Sequence, residues 1–87
     1  MSAMRRDLPV PAAVQRSSDS LEIARIWIVS EAPVVSIRSG IWSDPAAWGI
    51  LLADALTHIV LAHRNTPGFD EADFRSRVIE GFRAETG

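Results

Sequence analysis

Ser43-Asp44-Pro45-Ala46-Ala47-Trp48-Gly49-Ile50-Leu51-Leu52-Ala53-Asp54-Ala55-Leu56-Thr57-His58-Ile59-Val60-Leu61-Ala62-His63-Arg64 is the stretch on which the fold turns. It predicts one long helix. Ser43 or Asp44 can accept from a free N–H of the first turn. Pro45 suits the first helical position, where its missing donor costs nothing. Arg64 falls where a cation meets the negative end of the helix dipole. On a helical wheel Trp48, Leu52, Ala55, Leu56, Ile59, Ala62 and His63 share one broad stripe, with Leu51 and Val60 at its edges. Asp54, Thr57 and Arg64 lie opposite, together with apolar Ile50 and Leu61. A helix apolar nearly all round is normally covered on more than one side. One side is expected on the chain's own strands, the other on a second helix or a second subunit.

Upstream, Leu21 to Val29 reads as a strand, rich in Ile, Trp and Val and free of Gly and Pro. Ser30-Glu31-Ala32-Pro33 reads as a turn, and Val34 to Ser39 as a second strand. A hairpin closing around Glu31-Ala32 would set Val29 opposite Val34. Alternation then sorts the side chains. Ala24, Ile26 and Ile28 fall with Val35 and Ile37 on one face, where the long helix is expected to lie. Ile23, Arg25, Trp27 and Val29 fall with Val34, Ser36 and Arg38 on the other. That register sets Arg25 directly opposite Arg38, a like-charge pair that costs a few tenths of a kcal/mol unless neutralised.

Before the strands, residues 1–19 read as a flexible or extended arm. Each proline in Leu8-Pro9-Val10-Pro11 pushes its predecessor toward extended geometry. Ala12 to Arg16 could form a short turn or an edge strand. Residues 20–87 read as a single α+β domain. After the long helix, Asn65-Thr66-Pro67-Gly68 is a turn. A second helix is expected from Asp70 to about Ala84. Asp70 is its N-cap, and Phe69 and Phe74 stand at the spacing of a hydrophobic staple. Phe74, Val78 and Phe82 recur at intervals of four. The expected fold is thus α+β, a β-hairpin followed by two helices (β-β-α-α), the helices packed on one face of the sheet, with an extended N-terminal arm.

Composition narrows the function classes. Eighty-seven residues make one small domain that buries about 60–65% of its unfolded surface. Its hydrophobic content of 47% is too high for general disorder. No cysteine is present, so disulfides, thiolate nucleophiles and Cys-based zinc sites are excluded. This fits a cytoplasmic protein. Arg5 and Arg6 precede no apolar run, so no signal peptide is expected, and no run is long enough for a membrane span. A net charge of −2 argues against nucleic-acid binding. All nine basic residues are arginine.

Candidate chemistry is sparse. His58 follows Asp54 by four residues, a spacing that could orient an imidazole but that usually marks an exposed helix pair. His63 sits in the apolar stripe, with a structural role expected. The two histidines diverge by about 140° and cannot share a metal. No catalytic residue, metal site or cofactor is assigned. Arg25, Arg38 and Trp27 on one strand face could form a shallow platform for an anion or planar ligand. Trp27, Ile50 and Leu61 are the expected interface anchors.

The run Arg25-Ile-Trp-Ile to Val34-Val-Ser-Ile-Arg38, then Trp42-Ser-Asp-Pro-Ala-Ala-Trp-Gly-Ile-Leu-Leu-Ala-Asp54, resembles a small bacterial family catalogued only as a domain of unknown function. The resemblance runs from about Leu21 and rests mainly on Trp-Ser-Asp-Pro-x-x-Trp-Gly. It implies a compact bacterial α+β protein and no activity. The residues themselves favour a non-enzymatic protein–protein interaction domain acting as a homodimer. The alternative is a small-ligand or anion-binding module on the Arg25/Arg38/Trp27 face.

Overall fold

A computed structural model describes residues 6–87. The element order is α1 (Ala12–Arg16), β1 (Ala24–Val29), β2 (Ala32–Ile37), α2 (Ala46–Ala62) and α3 (Glu71–Thr86). The hairpin followed by two helices is the expected α+β arrangement. The chain divides into two compact units between Ile41 and Trp42.

In the first unit, Ala12 to Arg16 resolves as a short helix, not an edge strand. Pro11 presets the helical entry, and its carbonyl accepts from the N–H groups of Val14 and Gln15 at 3.0 and 3.1 Å. The Gln15 amide reaches back to the Val10 carbonyl at 3.1 Å. Of the two expectations for Ala12 to Arg16, the short turn is the nearer one, since its described residues form a single short helical turn.

The hairpin closes two residues tighter than the sequence suggested. Val29 pairs with Ala32, Trp27 with Val34, Arg25 with Ser36 and Ala24 with Ile37. The loop is only Ser30-Glu31, and both residues have positive φ, 50° and 69°. That is the backbone of a type I′ turn, whose twist matches the flanking strands. A shift of two residues keeps every side chain on its face, because the strand period is two. Both faces therefore carry the expected residues, but Arg25 and Arg38 are not opposite each other. Ser36 faces Arg25, and Arg38 bonds one rung on, its N–H donating to the Ile23 carbonyl at 2.9 Å.

That bond fixes the ladder. Odd residues of β1 exchange hydrogen bonds with even residues of β2, so Ile28 and Pro33 form a non-bonded pair. Pro33 thus occupies a position where its missing N–H faces away from β1. Both hairpin faces stay open. Ile26 is 70% exposed, Ile28 71% and Trp27 42%.

In the second unit, the Asp44 carboxylate accepts from the Ala46 N–H at 3.0 Å, so Asp44 supplies the cap that starts α2. Trp42 stands edge-on to Trp48, ring centroids 5.1 Å apart and planes at 82°. The helix ends at Ala62, short of Arg64. Its covered face is turned from the expected stripe. Trp48, Leu51, Ala55 and Leu56 are half-buried and Val60 is 1% exposed, while Leu52 and Ile59 lie open. The cause is α3, which packs alongside α2 and whose Phe74, Val78 and Ile79 are half-buried.

The connection runs through Gly68, whose φ of 77° suits a residue without a Cβ. Asp70 then caps α3, its carboxylate accepting from the Asp73 N–H at 2.9 Å. Phe69 and Phe74 meet at 5.5 Å between ring centroids, completing the staple. No helix among the described residues is long and apolar enough to cross a membrane.

Candidate functional site

The open end of the hairpin gathers one glutamate and two arginines. Glu22 lies two residues before β1, Arg25 is its second residue, and Arg38 follows β2 directly. Antiparallel pairing brings the two ends together although they are 16 residues apart in sequence. The Arg25 guanidinium donates from Nε to the Glu22 carboxylate in a short, solvent-exposed ion pair. Arg38 donates from its Nε to the Glu22 backbone carbonyl at 2.9 Å. A shallow depression of about 300 Å³ is lined by these three residues with Ile23, Ala24, Ser36 and Ile37.

The electrostatics follow from the geometry. The hydrogen bond from Arg25 holds the Glu22 carboxyl below its ordinary range, outweighing an opposing cost of desolvation, and the charges of Arg25 and Arg38 add to the lowering. The same bond raises Arg25, and the charges of Glu22 and Asp7 reinforce it. The site therefore sets two guanidiniums around the Glu22 carboxylate, with the charge of Asp7 also felt at Arg25.

Of the three residues expected on this platform, Arg25 and Arg38 line one depression and Trp27 does not. Trp27 lies on the same face two residues further along β1, opposite Val34. Glu22 escaped the sequence reading, although an acid three residues before Arg25 at a strand entrance was its signal. The expected interface anchors are all exposed, with Ile50 at 66% and Leu61 and Trp27 less so.

The histidines take different roles. His63 shares a hydrogen bond with the Ile59 carbonyl through Nδ1 at 2.7 Å, and its ring lies 4.8 Å from that of Phe74. With Nδ1 as the donor, His63 is a structural residue at the end of α2. His58 and Asp54 are both exposed, and among the described residues no hydrogen bond or ion pair joins them. A second hollow, of about 450 Å³, lies at the α2–α3 turn beside His63, Phe69 and Phe74. The described residues contain no group of three or more His, Cys, Asp or Glu placed to hold a metal ion.

Comparison with known proteins places the chain in a family. The family described as a domain of unknown function (DUF5076) matches residues 7–87, and the chain belongs to it. No curated protein matches. Among solved structures, one from the photosynthetic bacterium Rhodopseudomonas palustrus CGA009, provisionally named a pyruvate dehydrogenase, is similar with a TM-score of 0.76. The two are 23% identical over 99% of this chain and 87% of that one. At this identity the likeness carries the fold alone.

Proposed function

We propose, for this member of the family, a non-enzymatic protein–protein interaction domain that works as a homodimer in the bacterial cytoplasm. One observation carries the reading: large apolar side chains stay in the open on β1, β2 and α2, while Val60 is the fully buried apolar side chain among the described residues. A two-stranded hairpin open on both faces is marginal by itself. Apolar surface of this extent on so small a chain marks an association surface. Trp27 is the anchor on the hairpin and Ile50 and Leu61 are the anchors on α2, since aromatic and aliphatic side chains dominate binding energy when desolvated. The absence of cysteine suits a reducing compartment.

The test is absolute mass in solution by light scattering over a dilution series. The expected value is twice the chain mass of 9.5 kDa, persisting to low micromolar concentration. Ile50→Glu or Leu61→Glu is expected to lower that mass while leaving the circular dichroism spectrum unchanged. A mass of one chain at every concentration overturns the reading.

A second reading is favoured by the convergence of Arg25 and Arg38 on one depression. Paired guanidiniums recognise carboxylates and phosphates through planar, two-pronged hydrogen bonds. Titration with inorganic phosphate, followed by NMR shifts, is expected to move Arg25 and Arg38 first. Arg25→Ala with Arg38→Ala is expected to abolish those shifts, and unchanged shifts would remove this reading.

A further inference from the structure

The two edges of the hairpin are not alike. Ladder bonds to β2 use Ile23, Arg25, Trp27 and Val29, so the N–H and C=O groups of Ala24, Ile26 and Ile28 point away from β2. Among the described residues no hydrogen bond reaches those groups, and the sheet has two strands. The side chains of Ile26 and Ile28 stand in the open beside them. The outer edge of β2 is weaker, because Pro33 holds an outward position and has no N–H to give. β1 is therefore the edge with a full set of donors and acceptors.

We propose that a second copy of this chain pairs on that edge, β1 against β1 and antiparallel, about a twofold axis at Ile26. Two hairpins become one four-stranded sheet. The proposal rests on the homodimer reading above and adds the geometry of the contact that Trp27 anchors.

The register follows from three constraints. Outward groups belong to even residues, so a twofold pairing must set even residues against even ones and odd against odd. With the axis at Arg25, two guanidiniums stand face to face, a like-charge pair. With the axis at Trp27, Ala24 runs past the end of the partner strand and a rung is lost. With the axis at Ile26, every outward residue finds a mate: Ala24 meets Ile28 of the partner subunit, and Ile26 meets Ile26 of the partner subunit.

The other face supplies the specificity. Arg25 then stands opposite Trp27 of the partner subunit, twice by symmetry, as a closely spaced non-bonded pair. A guanidinium over an indole is a favourable cation–π arrangement, and it leaves the edge of the guanidinium free to keep its bond to Glu22. Ile23 falls against Val29 of the partner subunit. No like charges meet in this ladder, since Arg25 is the charged residue of β1.

The chain has no cysteine, so one introduced thiol reports its own neighbour. Hydrogen-bonded antiparallel partners have Cα atoms about 5.5 Å apart, within disulfide reach. Ile26→Cys is expected to form a disulfide dimer on mild oxidation, at least about tenfold faster than Ile28→Cys alone, whose copies lie too far apart. A mixture of Ala24→Cys and Ile28→Cys chains is expected to give the mixed disulfide, which keeps the test available if Ile26→Cys does not fold. A dimeric mass with neither disulfide, or with crosslinking at Trp27→Cys instead, overturns this register and leaves the homodimer standing. A monomeric mass for the unmodified chain overturns both.

Discussion

Arg38 donates from Nε to the Glu22 carbonyl at 2.9 Å, tying the residue after β2 to the approach to β1. The Glu22 carboxylate meanwhile holds Arg25. One glutamate thus closes the open end of the hairpin through two different acceptors.

The carboxylate half of that clasp makes the hairpin acid-sensitive. The folded chain holds Glu22 below its ordinary range, so the ion pair supports folding above that range. The support is lost as pH falls through the lowered value. Both side chains are in solvent, and salt should weaken the effect. An NMR titration of the Glu22 carboxyl is expected to show a depressed midpoint that returns toward the ordinary value in Arg25→Gln. An identical midpoint in both proteins would remove the pairing.

The Ser30-Glu31 turn holds two side-chain-bearing residues in left-handed geometry. Each such residue costs about 1–2 kcal/mol that glycine avoids, although glycine also loses more entropy on folding. Glu31→Gly is therefore expected to stabilise the hairpin by about 0.5–1 kcal/mol net. Glu31→Val is expected to destabilise it. Thermal unfolding followed by the NMR signals of the β1 and β2 amides checks both directions.

Val60 and Leu61 are adjacent on α2 but face opposite fates, one buried and one open. Val60→Ala removes buried methyl groups and leaves space behind, for a cost of about 2 kcal/mol. Leu61→Ala is expected to change the unfolding free energy of the isolated chain by less than about 0.5 kcal/mol. Denaturant titration at low protein concentration separates the two.

Asp70 offers a clean test of capping. Its carboxylate satisfies the Asp73 N–H at the start of α3. Asp70→Ala is expected to cost about 1 kcal/mol and Asp70→Asn much less. Equal losses in both variants would point to charge rather than the hydrogen bond as the source of the effect.

Much of this was legible in the residues. The strand faces could be read because Ile26, Ile28, Val35 and Ile37 alternate with period two, and a two-residue shift leaves that alternation intact. The shift itself could not be read. Type I′ turns usually advertise themselves with Asn or Gly, and Ser30-Glu31 carries neither. The α3 cap and staple were visible because Asp70, Phe69 and Phe74 act within a single turn. The covered face of α2 was not, because a helix apolar on most sides leaves the choice to its neighbour, and α3 selects Val60 over Leu52 and Ile59. Of the charged corner, both arginines were found. Their joint partner Glu22 was missed because the expected register set the arginines against each other.

Pro33 bears on how far assembly can go. Strand pairing through identical edges has no natural end, since each added hairpin presents a fresh edge to the next. A four-stranded sheet joined through β1 would carry Pro33 at both of its margins, where a newcomer finds a missing donor. The stoichiometry would then be capped at two by a single ring, and growth into filaments blocked at both ends at once. Pro33→Val would lift that block, turning a closed pair into an open-ended polymer whose turbidity rises with concentration.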